Sequence, residues 1–205
     1  MLLDELKNKH QGEDVYIIGK GPSLQYLTKD MIGEGVVITI NDAIVKIEEL
    51  NLPNKIYAME KDGWYVDNKP CFEPHDCSIH SIMPKEDGKT TLLVHKHESL
   101  NCLPNFKPRL VFDNEEFGLH FQHFSALSCI QIAKLMGCKK FYFISFDAYT
   151  HQDASTYIPG KGITGVCHDY LRYPALMQPY LKDLDYKFII PNNINDLNNL
   201  EDNYQ

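Results

Sequence analysis

Short apolar runs separated by polar, glycine- and proline-bearing stretches mark out this chain. Val15–Gly19 is apolar without alternation, which predicts a strand buried on both faces, as in a parallel sheet covered on both sides. Val36–Ile40 repeats the pattern, and Ala43–Leu50 follows with apolar positions Ile44, Ile47 and Leu50 at helical spacing. Lys55–Met59 reads as a third strand after Leu52-Pro53-Asn54. Residues 60–108 are the least regular part, punctuated by five prolines, with strands expected at 79–82 and 91–95 and another at Arg109–Phe112.

Beyond the irregular middle, Ser125–Met136 carries Ala126, Cys129, Ile130, Ala133 and Met136 on one helical face, and Gly137 is placed to stop it. Phe141–Ser145 is an aromatic-rich strand ending in Phe146-Asp147. Residues 148–166 read as a lid-like loop rich in glycine, threonine and serine, 167–183 as a helix broken near Pro174 and Pro179, and Lys187–Ile190 as the last strand. Residues 1–13 predict a leading helix, and 24–32 a short helical or irregular segment. Alternating strands and helices imply an α/β fold with a mostly parallel sheet and helices on both faces. The expected organisation is one domain over 1–191 and a polar Asn/Asp-rich tail over 192–205.

Composition narrows the classes. The 205 residues suit one domain, and no run approaches the roughly 18 apolar residues of a membrane span. The first residues lack a basic region ahead of an apolar one, so no secretory signal is read there. Six scattered cysteines without C-x-x-C spacing suggest reduced thiols and a cytoplasmic setting. A net charge of −8, with Arg109 and Arg172 as the sole arginines, argues against a broad nucleic-acid face.

Four places carry candidate chemistry. The first is the turn Gly19-Lys20-Gly21-Pro22-Ser23 after the opening strand, at the edge where α/β sheets take nucleotides. It has neither G-x-G-x-x-G nor G-K-[ST], so it is neither a dinucleotide fingerprint nor a P-loop. Its glycines suggest positive φ and close approach of a ligand, Lys20 suggests an anion, and Ser23 offers a hydroxyl; a ligand-free tight turn is the plain alternative. The second is Asn41-Asp42, where the Asn amide suits a base or ribose edge or simply caps the next helix. The third is Glu60-Lys61-Asp62, with two carboxylates spaced to hold Mg²⁺ or to face solvent in an ordinary turn. The fourth joins Ser125 at a helix start, Asp147 and Tyr149 after a strand, Tyr157 in the loop, and His168 as a candidate general base.

The runs Ile17-Ile18-Gly19-Lys20-Gly21-Pro22-Ser23-Leu24, Asn41, Ser125–Gly137 and Ile144-Ser145-Phe146-Asp147-Ala148-Tyr149 resemble the bacterial sialyltransferases of lipo-oligosaccharide. They also resemble a broader group with archaeal hydroxymethyl-dihydropterin diphosphokinases and flagellin-modifying proteins. The resemblance covers roughly the first 60 residues and 120–190, and implies a Rossmann-like core. It further implies a glycosyltransferase that moves a sugar from a nucleotide-activated donor to a hydroxyl, without a cofactor or metal. Gly19, Gly21 and Ser23 would flank the nucleotide, Asn41 its ribose or base, and Ser125 would line its pocket. Tyr149 and Tyr157 would touch the leaving phosphate, and His168 would deprotonate the acceptor. The chain departs from the sialyltransferases at Lys20, where they carry Asn, at Phe124-Ser125-Ala126, where they carry Thr-Ser-Gly, and in having Glu60-Lys61-Asp62. Two other readings stand beside it: Mg²⁺-dependent pyrophosphoryl or nucleotidyl transfer through Glu60, Asp62 and Asp147 with Lys20 as phosphate clamp, and a non-catalytic nucleotide-binding module. The acceptor class (glycan, modified DNA base or protein hydroxyl) stays open, as does self-association into a homo-oligomer.

Overall fold

The all-apolar strands pair with one another. In a computed structural model, β1 (Asp14–Ile18) lies between β2 (Val36–Ile40) and the later β8 (Lys140–Ile144), parallel to both, with Ile18 opposite Thr39 on one side and Ile144 on the other. The structure describes residues 2–60, 65–66, 69–70, 84–85, 88–96, 108–119, 125–150, 156–158, 162–164 and 173–191. Beyond β2 follow β3 (Lys55–Glu60), β6 (Thr90–His95) and β7 (Arg109–Phe112), and beyond β8 lies β11 (Asp185–Ile189). The seven strands run in the order β11-β8-β1-β2-β3-β6-β7, and every pairing is parallel, so the expected mostly parallel sheet is wholly parallel.

Both faces are covered, as the unbroken apolar strands require. On one face Ile44 and Ile47 of α2 (Ala43–Leu50), with Leu24 and Leu27, pack on Ile18, Val37 and Ala58. On the other, Leu6 of α1 (Leu2–Leu6), Cys129, Ile130 and Ala133 of α3 (Ser125–Leu135), and Met177 and Leu181 of α5 (Tyr173–Leu181) pack on Val15, Ile17, Ile38 and Phe143. The chain winds outward from β1 to β7 with α2 on one face. It then returns to the far side of β1 and winds the opposite way with α3 and α5 on the other face. This is a doubly wound Rossmann-like arrangement, and strand order reverses between β1 and β8.

Two local expectations are corrected. The leading helix ends at Leu6, because Asn8 (φ 56°) and Gly12 (φ 79°) adopt left-handed backbone. The amides of Asn8, His10 and Gly12 donate instead to the carbonyls of Leu135, Met136 and Gly137, so this segment closes the carboxyl end of α3. Gly137 stops α3 at φ 81°, with the Cys138 N–H reaching back to the Ala133 carbonyl. The described residues of the 148–166 stretch form regular elements where a loop was expected: α4 (Asp147–Thr150) opens it, and β9 (Thr156–Ile158) pairs antiparallel with β10 (Gly162–Thr164). Two short strands, β4 (Tyr65–Val66) and β5 (Lys69–Pro70), form a separate antiparallel pair. The strand expected at 79–82 and the 192–205 tail lie outside the described residues.

Candidate functional site

Where the strand order reverses, the turn after β1 meets the end of β8. The Gly19 N–H donates to the Ile144 carbonyl and the Gly21 N–H to the Ser145 carbonyl, both at 2.8 Å. Two turns are thereby joined edge to edge beyond the last rung of the ladder. Ser23, in the 3-10 turn Pro22–Tyr26, completes the junction: its N–H donates to Asp147 Oδ1 at 3.0 Å and its hydroxyl to Oδ2 at 2.7 Å. Both carboxylate oxygens of Asp147 thus serve a residue 124 positions earlier.

The glycines act differently from the expectation. Neither Gly19 nor Gly21 has positive φ; Gly21 lies at φ −63° and ψ 160°. What each needs is space. A methyl group on either would sit 2.7 Å from the Ser145 carbonyl oxygen, and on Gly21 it would also overlap the Asp147 carboxylate. The close approach that requires glycine is therefore between two parts of this chain.

Lys20 is also turned inward. Its Nζ donates to Asp42 Oδ2 at 3.1 Å, with the two side chains 7% and 0% exposed. Asp42 precedes α2, and next to it Asn41 is buried in left-handed backbone at φ 48°. The Asn41 N–H donates to the Met59 carbonyl and its own carbonyl accepts from Ile44, so the backbone of Asn41 joins β3 to the start of α2. The lysine that suggested an anionic ligand is neutralised within the protein.

The remaining residues of the expected site are distributed as follows. Ser125 is buried at the first turn of α3. That helix connects β7 to β8, which brings its amino end to the carboxyl edge of the sheet. Tyr149 stacks on Phe188 with centroids 5.4 Å apart and also contacts Phe146, so its ring belongs to the apolar layer. Strand β9, which holds Tyr157, runs close beside the Pro22–Tyr26 turn and brings that stretch to the site. Glu60 is the last residue of β3. His168 and Asp62 lie outside the described residues. Among the described residues no three His, Cys, Asp or Glu side chains are grouped to hold a metal ion, and no helix is long and apolar enough to cross a membrane.

Ser145 was not singled out from sequence. It leaves β8 at φ 60°, is 1% exposed, and its Oγ has no hydrogen-bond partner among the described residues. A non-glycine residue in such backbone costs on the order of 1–3 kcal/mol, and an unsatisfied buried hydroxyl about 1–3 kcal/mol. The sequence signal was slight: one polar residue between Ile144 and Phe146. At the ends of β6 and β7 a second polar group is built around Asp113, which pairs with Lys96 and caps the turn Asn114–Phe117 by accepting from the Glu115 N–H. Burial pushes the Asp113 carboxyl up, but Lys96 and that amide outweigh it and hold it below the usual range. His95 Nε2 accepts from the Asn114 N–H at 3.3 Å, and the Ser128 hydroxyl donates to Asn114 Oδ1 at 2.7 Å, which ties this turn to α3.

No protein-family model matches the chain, and no curated protein matches it.

Proposed function

We propose that this chain is a transferase that seats a nucleotide-activated sugar at the β1–β8 crevice and passes the sugar to a hydroxyl acceptor. One observation carries the reading: Gly19–Ser23 and Ser145–Asp147 are locked together at the point where the order of a wholly parallel sheet reverses. Doubly wound sheets take nucleotides at that point. The course of β9 beside the same turn supports it, as does the resemblance to the sialyltransferases in the residues that build the junction.

In this reading the acceptor O–H bond breaks, its proton passing to His168. The acceptor oxygen bonds the anomeric carbon with inversion, and the bond from that carbon to the phosphate oxygen breaks with its electron pair on the phosphate.

The test is release of free nucleotide from CMP-, UDP- and GDP-sugars, with and without EDTA, by the full chain and by His168→Ala. Turnover should survive EDTA and fall about 100-fold or more in the variant, with nucleotide affinity changed by less than about twofold. Undiminished turnover by His168→Ala would remove the base from this role. Activity abolished by EDTA would transfer the reading to Mg²⁺-dependent phosphoryl chemistry at Glu60 and Asp62. Binding without turnover would leave a nucleotide-binding module.

A further inference from the structure

Four described non-glycine residues have left-handed backbone: Asn8, Asn41, Asn51 and Ser145. Asparagine tolerates that conformation because its short amide bonds locally, and serine has much less reason to adopt it. Ser145 is held there from both sides. Its N–H donates to the Ile189 carbonyl on β11 at 3.0 Å, and its carbonyl accepts from Gly21 of the adjoining turn at 2.8 Å. Its hydroxyl, by contrast, is buried and bonds none of the described residues, whereas the neighbouring buried hydroxyl of Ser23 is paired. An unfavourable backbone and an unsatisfied polar group thus coincide at one residue, at the end of the strand beside β1.

The charges around it indicate what it would meet. The amides of Gly19, Gly21, Ser23 and Leu24 donate within the protein, Pro22 has no N–H, and Lys20 is neutralised by Asp42. Asp147, two residues on, places a carboxylate beside the same turn. A phosphate placed here would meet a carboxylate and gain little from the lysine; a hydroxyl or amino group meets no such penalty. Rotation about the Cα–Cβ bond carries the Ser145 Oγ between staggered positions.

We propose that Ser145 is a ligand-contacting residue that hydrogen-bonds an uncharged polar group of a nucleoside, a ribose hydroxyl or base edge, with the phosphates directed away from the Gly19–Ser23 turn. This rests on the nucleotide reading above and adds to it the end of the nucleotide that the turn receives. The experiment titrates the full chain with the four ribonucleoside monophosphates, their nucleosides and inorganic pyrophosphate, and records melting temperatures without ligand. Ser145→Ala, Ser145→Gly and Thr39→Val are compared with the unaltered chain, Thr39 being a second buried hydroxyl without a partner but inside the sheet.

At least one nucleoside should bind within about tenfold of its monophosphate, and pyrophosphate should not displace it. Ser145→Ala should weaken both about tenfold, equivalent to 1.4 kcal/mol, with a melting temperature equal to or above the parent's. Ser145→Gly should bind as weakly and melt higher, because it also relieves the backbone. Thr39→Val should bind normally. Parent affinity in Ser145→Ala, displacement by pyrophosphate, or a melting temperature several degrees lower in Ser145→Ala would each overturn the assignment while leaving nucleotide binding intact. If the unaltered chain binds none of the probes, the nucleotide reading falls and this assignment falls with it.

Discussion

The two edges of the sheet handle buried polar groups in different ways. At the amino edge, Glu13 accepts from His10 Nδ1 at 3.1 Å, which leaves Nε2 to accept the Tyr57 hydroxyl at 2.9 Å. His10, Glu13 and Tyr57 are partnered there, Asp14 Oδ1 meets Lys139 Nζ at 3.8 Å as an ion pair and not as a hydrogen bond, and the segment carrying His10 closes α3 with its own amides. At the carboxyl edge, the Ser23–Asp147 and Lys20–Asp42 contacts are as well made, but beside them Ser145 has a strained backbone and an unpaired hydroxyl. At the amino edge the buried carboxylate oxygen left without a hydrogen bond still faces a lysine of the chain itself, whereas at the carboxyl edge a strained backbone and an unpaired hydroxyl coincide at one residue, a local cost that a ligand would offset. This is the asymmetry expected when one edge serves stability and the other serves a site.

Glycine substitution should separate the edges most strongly. Gly21→Ala drives a methyl into the Asp147 carboxylate and the Ser145 carbonyl, breaking the junction and its two hydrogen bonds to Ser23. A loss of about 4 kcal/mol is expected. At the amino edge Gly12→Ala meets open space and pays for its φ of 79° alone, about 1 kcal/mol. Urea denaturation of both variants checks this, and equal losses would break the distinction. Next in size is Lys20→Met, which leaves Asp42 buried without its lysine and should cost about 3 kcal/mol. The double variant Lys20→Met/Asp42→Leu should recover most of that. If Lys20→Met instead keeps its stability and loses nucleotide affinity, Lys20 is the anion ligand that its position in the turn first suggested.

The Lys20–Asp42 pair shows where legibility in the sequence ended. Strands β1 and β2, helices α2 and α3 and the stop at Gly137 could be read because periodicity and capping are local, and unbroken apolar strands implied a sheet covered on both faces. Lys20 could not be read, because Asp42 becomes its neighbour only when β2 pairs with β1. Gly21 was recognised as necessary for the wrong reason: the group it accommodates, Asp147, comes from the far half of the chain. Residues 8–13 are locally compatible with a helix, and only the unsatisfied carbonyls at the end of α3 draw them away from it. Ser145 had the weakest signal, since its backbone conformation is imposed by bonds to β11 and to the Gly21 turn.

The smallest predicted effect tests whether the amino edge is purely structural, and it is a dependence on pH. Burial pushes the Tyr57 phenol up from 10.0 to about 12. It pushes the Cys138 thiol up from 9.0 to about 12, with the Glu13 carboxylate adding to the shift. For each group the folded state favours the neutral, protonated form. The unfolded chain therefore releases these protons first as pH rises, and ionisation there draws the equilibrium toward unfolding. The stability contributed is complete below about pH 9 and falls progressively as pH approaches 12. For Tyr57 alone the loss from pH 8 to pH 11 is about 1.4 kcal/mol, because at pH 11 the unfolded phenol is mostly ionised and the folded one is not. Tyr57→Phe should be less stable at pH 8 by about 1 kcal/mol, having lost the bond to His10, and this deficit should shrink or vanish by pH 11. Urea midpoints of both proteins across that range would show the two curves converging. Parallel curves would mean that Tyr57 ionises alike in both states, and the amino edge would lose its claim to be a closed, buried network.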